Sequence, residues 1–188
     1  VHVELSRANR ELAVDIVDDG IGVFENVMRG HKLASLEDAV LQLEKGKLTT
    51  QPERHSGQGL FFTSKAAKRF RLVSGLLAWR VDNDGVGALK SEQALEKLTK
   101  AIAGTRVELR FEPGRIPELT SVFAGWAEAG GEFDTTRTTV KLVQRGTALI
   151  SRSEAKRVVA GLEKFRHVIF DFAGVDVVGE GFVDEVFR

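Results

Sequence analysis

Apolar and polar residues alternate from the first position. Val1, Val3 and Leu5 fall on one face, Arg7-Ala8-Asn9-Arg10 breaks the pattern, and Leu12, Val14 and Ile16 resume it up to Val17. A period of two sustained on both sides of a polar break predicts a β-hairpin. Asp18-Asp19-Gly20-Ile21-Gly22 then ends the second strand in a glycine-rich turn.

Beyond the hairpin the period changes. Phe24–Gly30 and Ser35–Lys45 read as helices; in the second, Leu36, Ala39, Val40 and Leu43 recur at helical spacing, and Ser35 is placed to cap, with Asp38 three residues on. Gly46–Ser56 is polar and loop-like, and Gly57-Gln58-Gly59 leads into a helix over Gly59–Arg69. Strands are expected at Phe70–Ser74 and Leu77–Val81, a turn at Asp84-Gly85, and a helix at Ser91–Ile102. Thr105–Phe111 sets Val107, Leu109 and Phe111 against Arg106, Glu108 and Arg110, the pattern of a half-buried strand.

Pro113-Gly114-Arg115-Ile116-Pro117 holds two of the three prolines and is read as the linker (113–117) between a unit at 1–112 and a second at 118–188. The second unit is expected to carry a helix over Glu118–Ala129 and a hairpin of Thr138–Val143 with Thr147–Ile150. Ser151-Arg152-Ser153-Glu154 has the spacing of a capping box and opens a helix to about Lys164. A strand at Val168–Phe172, a loop at Gly174–Gly179 and a young helix at Gly181–Arg188 follow. A chain that begins at Val1 inside a strand and stops at Arg188 inside a helix reads as a piece of a longer protein.

Composition removes several classes of function. There is no cysteine, hence no disulfide, thiolate metal site or cysteine nucleophile. Lys+Arg and Asp+Glu both number 27, so no overall field draws the chain to nucleic acid or to an anionic membrane. No apolar run nears the roughly 18–20 residues that cross a bilayer. A cytoplasmic protein is expected. His2, His31, His55 and His167 show no ligand spacing. Asp82-Asn83-Asp84-Gly85 has its glycine too early for a calcium loop and Gln93 at position twelve, so it reads as a hairpin turn. Lys65, Lys68, Arg69 and Arg71 read as a solvated face rather than phosphate contacts, Asp184 and Glu185 point apart on a helix, and Trp79 and Trp126 read as core.

Two glycine-rich runs could carry chemistry. His55-Ser56-Gly57-Gln58-Gly59-Leu60 feeds a helix N-terminus, where bare N–H groups and the helix dipole favour phosphate. It is not a dinucleotide fingerprint, because Phe62 takes the place of the third glycine, nor a P-loop, because no Lys-Ser/Thr follows. Asp18 at a strand end, beside glycines that let a planar ring approach, suits an adenine amino group. Each run alone is equally a plain strand–turn–helix corner.

The order of these parts resembles a known fold. A hairpin, Asp18-Asp19-Gly20-Ile21-Gly22, a helical and loop segment, Gly57-Gln58-Gly59-Leu60 opening a helix, two strands, and Gly104-Thr105-Arg106-Val107 resemble, over roughly residues 1–112, the GHKL-type ATP-binding domain. That α/β sandwich is shared by gyrase, histidine kinases and anti-sigma-factor kinases, and His55–Phe61 is most similar to the anti-sigma type. The resemblance implies ATP as ligand. Asp18 would hold the adenine amino group, Gly20 and Gly22 would shape its pocket, and residues 23–56 would form the ATP lid. Ser56, Gly57, Gln58, Gly59 and Leu60 would lie at the phosphates, and Thr105 would bind a water shared with Asp18. The family's Mg²⁺-binding Asn and its acidic base sit on a helix ahead of the hairpin, a stretch that would precede Val1. The 188-residue chain is therefore expected to have weak ATP affinity at most and no turnover.

Ile150–Arg157, Val168–Asp176 and Gly179–Arg188 resemble a bacterial STAS-like domain, the α/β class that includes anti-anti-sigma factors. The serine phosphorylated in such factors would fall in Val177-Val178-Gly179-Glu180-Gly181-Phe182, which has no hydroxyl. The expected whole is a prokaryotic signalling or transcription-control module with a regulatory protein partner, an ATP-binding unit being coupled to a STAS-like one. Two alternatives stand beside it: an anti-sigma-type serine/threonine kinase or ATPase active in a longer parent, and a degenerate scaffold that binds proteins without nucleotide.

Overall fold

The computed structural model describes residues 1–8, 10–48, 57–83, 91–124, 126 and 137–188. The alternating start forms the expected antiparallel hairpin, β1 (His2–Ala8) and β2 (Glu11–Asp18), with Val3 opposite Ile16 and Leu5 opposite Val14. Two helices follow, α1 (Val23–Gly30) and α2 (Leu36–Lys45), the second capped by the Ser35 hydroxyl, which accepts from Asp38 N at 3.1 Å. After α3 (Gly59–Ala66) come β3 (Arg69–Asn83) and β4 (Ser91–Phe111), completing an antiparallel sheet in the order β1-β2-β4-β3.

The register explains where the core lies. Leu5, Val14, Leu109 and Phe70 stand side by side across the four strands, and Val3, Ile16, Val107 and Leu72 form the next row. At the β3–β4 end these rows are covered by Phe24 and Val27 of α1 and by Ala39, Val40 and Leu43 of α2. Phe70 and Leu72 lose all contact with solvent, each worth about 1.5–3 kcal/mol. At the other end Val3 and Leu5 stay exposed.

Strand β3 doubles back at Gly75–Leu76. Gly75 has a positive φ of 58°, Asn83 N donates to Lys68 O at 2.9 Å, and Arg69 meets Asp82 at 3.5 Å. The strands expected at Phe70–Ser74 and Leu77–Val81 are the two arms of this bend. The helix expected at Ser91–Ile102 does not form; that stretch belongs to β4, with Trp79 opposite Leu95 and Val81 opposite Gln93. Ala94, Leu95, Glu96 and Lys97 are strong helix formers, but pairing with the arm that carries buried Trp79 and Val81 overrides local preference. The α3 helix also stops at Ala66, leaving Arg69 to β3. The turn expected at Asp84-Gly85 lies outside the described residues.

The second half is built differently. Its elements are α4 (Leu119–Ala124), β5 (Arg137–Lys141), a 3₁₀ turn at Leu142–Arg145, β6 (Ala148–Leu149), α5 (Arg152–Val159), a 3₁₀ turn at Leu162–Lys164, β7 (His167–Asp171), β8 (Val177–Val178) and α6 (Glu180–Val186). The end of the helix expected over Glu118–Ala129 lies outside the described residues. The hairpin expected from Thr138–Val143 and Thr147–Ile150 does not form: β5 pairs in parallel with β7, and β6 with β8. Parallel neighbours need a crossover, which α5 supplies, and the 3₁₀ turn redirects the chain between β5 and β6. The Ser151 cap forms as expected, accepting from Glu154 N at 3.2 Å, but α5 ends before Gly161, whose φ is 80°.

Three apolar clusters result. The first lies under the large sheet. The second gathers Val140, Leu142, Leu149, Ala155, Val158 and Phe182, and Leu41 of α2 enters it. In the third, Phe61 and Phe62 of α3 meet Val122 and Trp126, the Phe61 and Trp126 rings edge to face at 5.1 Å. Trp79 and Trp126 are thus both buried, as expected. Among the described residues no helix is long and apolar enough to cross a membrane.

Candidate functional site

The end of β2 builds a tight corner. Asp18 is paired with Thr105 of β4, and its Oδ1 accepts from Gly20 N at 2.8 Å and from Thr105 N at 3.2 Å. Two backbone donors fix the carboxylate, while Oδ2 accepts no hydrogen bond among the described residues. Thr105 Oγ1 accepts from Val23 N at 3.1 Å, which ties the first residue of α1 to the same corner. Gly22 and Gly104 have φ of 89° and 67°; a Cβ on the first would strike Ser74 Oγ, and one on the second the Asp18 carbonyl. Only glycine fits either position. Ser74, buried in β3, donates to Gly104 O at 3.0 Å.

Asp18, Gly20, Gly22 and Thr105 are therefore brought together, with Asp18 half-buried and Gly20 exposed. Ser74 was not legible as a member. A serine at a strand end has no signature, and only the register that sets it beside Thr105 reveals it.

The second glycine run is held by other elements. Gly57 has a φ of 73°, and a Cβ there would run into the backbone of Leu48, so glycine allows this turn to cross the chain leaving α2. Gln58 is buried and sits at the N-cap of α3 without a side-chain cap bond; Gly59 and Leu60 form the first turn, with open space around Gly59. Ser56 and His55 lie outside the described residues.

The part of 23–56 expected to act as a lid includes two packed helices. Every residue of α2 from Asp38 to Lys45 is buried, against the polar outer face that its Leu36/Ala39/Val40/Leu43 stripe implies. The outer face meets the second half of the chain. Asp38 pairs with Arg145 at 2.6 Å, and Arg157 reaches the same carboxylate at 3.8 Å. Lys45 Nζ donates to Ala160 O at 2.8 Å, and Thr138 Oγ1 donates to Lys45 O at 3.1 Å.

A buried seam of charge runs alongside. Lys65, expected on a solvated face, lies 3% exposed, with Nζ 4.9 Å above the Trp126 ring and 5.4 Å above that of Phe61. Its helix is covered by α4 and Trp126, which turns the side expected to face solvent into an interface. Burial lowers the pKa of Lys65 to about 8, with nearby Glu44 opposing the shift. Burial lifts Glu44 to about 7 against the pull of Lys65, Arg145, Lys45 and Lys141. Burial and then Arg145 lower Lys45 to about 8. Lys68, Arg69 and Arg71 remain on the surface in ion pairs with Glu112, Asp82 and Glu108.

Residues 154–188 match a STAS-like domain of unknown function (DUF4325). This STAS-like part runs from within α5 through β7 and β8 to α6. Comparison with curated proteins and with solved structures finds no match. In the STAS-like part, Glu180 opens α6 on the surface after Gly179 at the N-cap, and no hydroxyl lies between Val177 and Phe182. Among the described residues no three His, Asp or Glu side chains gather into a group that could hold a metal ion.

Proposed function

We propose that residues 1–112 form a GHKL-type adenine-nucleotide-binding unit coupled to the STAS-like part, acting with a regulatory protein partner in prokaryotic signalling or transcription control. The observation that carries this reading is the Asp18 carboxylate. Its Oδ1 is locked by two backbone N–H groups, and its Oδ2 is left to accept from an exocyclic amino group. A pre-oriented carboxylate at a half-buried strand end discriminates by hydrogen bonding, since a base with a carbonyl in place of the amino group would face it with acceptor against acceptor. Exposed Gly20 leaves room for a flat ring beside it.

The sheet order supports the same reading, because it sets the strand ending in Asp18 directly beside the one that carries Gly104-Thr105. The first-turn N–H groups of Gly59 and Leu60, with no side-chain cap, suit phosphate oxygens. No step of phosphoryl transfer is assigned to residues 1–188. Binding, rather than turnover, is the proposed role of residues 1–188. Saturation-transfer NMR with ATP and GTP tests it: transfer to the adenine protons of ATP, and none to GTP, is expected. Equal transfer to both bases refutes base recognition by Asp18.

A further inference from the structure

Helix α2 is a member of two cores. Ala39, Val40 and Leu43 pack with Phe24, Val27, Phe70 and Leu72, and Leu41 packs with Val140, Leu142, Leu149 and Phe182. Its polar groups are fastened to the second half at both ends of the helix, Asp38 to Arg145 and Lys45 to Ala160 and Thr138. On its other side it packs on α1, whose first amide is held by Thr105 Oγ1 within the Asp18 corner. A helix enclosed from Asp38 to Lys45 has no solvent-facing side into which it can move. Close-packed interiors transmit displacement instead of absorbing it.

We infer that α2 is a strut through which order in the Gly20–Val23 turn and order in the STAS-like part control one another. The coupling is reciprocal, as any equilibrium coupling must be: fixing the corner steadies β5, α5 and β7, and loosening the STAS-like part frees the corner. The ligand arm rests on the nucleotide reading above; the mechanical arm does not. The strut assigns a regulatory role to Leu41, Asp38 and Arg145, none of which touches the Asp18 corner.

Amide hydrogen exchange on the 188-residue chain tests both arms. In Arg145→Gln, and in Leu41→Ala as a stronger second variant, the amides of Val23 and Asn26 should exchange about tenfold faster over and above any rise at Val14 in the sheet, which reports the general loss of stability. Faster exchange in α5 with unchanged Val23 and Asn26 overturns the strut. So does a uniform rise that includes Val14, which is ordinary loss of stability. In the wild type, ATP should slow Val23 and also Ala155 and Ala160; in Arg145→Gln it should slow Val23 alone. Protection of Val23 without any change at Ala155 and Ala160 in the wild type also overturns the strut. If ATP protects no amide at the corner, the nucleotide reading fails, and the strut is decided by the two variants.

Discussion

Removing the Arg145 guanidinium strands a carboxylate in an interior. The Asp38 side chain is 6% exposed and that of Arg145 11%, and they meet at 2.6 Å. Breaking one partner of such a buried pair costs about 3–5 kcal/mol, because the remaining charge loses its compensation without returning to water. Two features soften the loss here. Arg157 stays 3.8 Å from the Asp38 carboxylate, and Asp38 lies in the first turn of α2, where the helix dipole favours an anion by about 0.3–1 kcal/mol. Arg145→Met should therefore lose about 3 kcal/mol, the lower end of that range. The double variant Asp38→Leu/Arg145→Met should lie within about 1 kcal/mol of wild type, since apolar replacement of both partners restores a consistent interior. Urea denaturation followed by circular dichroism and by the fluorescence of Trp79 and Trp126 gives both values. The reasoning is refuted if the single variant loses under about 1 kcal/mol, or if the double loses as much as the single.

Further outcomes follow from the same interior. Burial keeps Glu44 protonated up to about pH 7, while an unfolded chain loses that proton near 4.5. The folded state thus binds the extra proton in between, and stability falls as pH rises through this window, by at most about 3 kcal/mol. Glu44→Gln should flatten the fall between pH 5 and 7 in denaturant midpoints; an unchanged slope removes Glu44 as its source. Lys45 and Lys65 act with the opposite slope, adding stability as pH rises from about 8 towards 10.5. Gly104→Ala should lose at least about 2 kcal/mol, from a positive φ and collision with the Asp18 carbonyl. Gly59→Ala, with open space around it, should not lower the melting temperature. Ser151→Ala should lose about 1 kcal/mol with its cap, measured by thermal melting.

Local pattern and tertiary context divide what the sequence discloses. The hairpin from Val1 to Val17, the Ser35 and Ser151 caps, and the strand at 168–172 rest on short-range periodicity and capping chemistry, and they read directly, whereas the loop expected at Gly174–Gly179 contains β8, and the helix expected to reach Lys164 ends at Val159. Ser91–Ile102 did not, because Ala94–Lys97 favour a helix until the Trp79 arm offers a ladder. The 138–150 region looked like a hairpin because parallel partners separated by α5 leave no local mark. At the candidate site, Asp18, Gly20 and Gly22 announce a corner, and Thr105 entered only through the resemblance of the whole order of parts to a GHKL-type domain. Ser74 joins them only through register. The seam of Glu44, Lys45 and Lys65 was the least legible feature. Charged residues on helices read as solvated, and only the docking of α4 and of the elements from β5 to α5 over them reverses that.

Calorimetric titration of ATP into the wild-type chain, Asp18→Ala and Asp19→Ala tests the nucleotide reading most directly. Losing the acceptor for an amino group held at the half-buried Asp18 costs about 1–3 kcal/mol, or roughly 5- to 150-fold in affinity. The account predicts weak, saturable binding by the wild type, that loss in Asp18→Ala, and near wild-type affinity in Asp19→Ala, whose side chain stands in solvent. Equal affinity of the wild type and a folded Asp18→Ala variant, or no binding by the wild type, would contradict it.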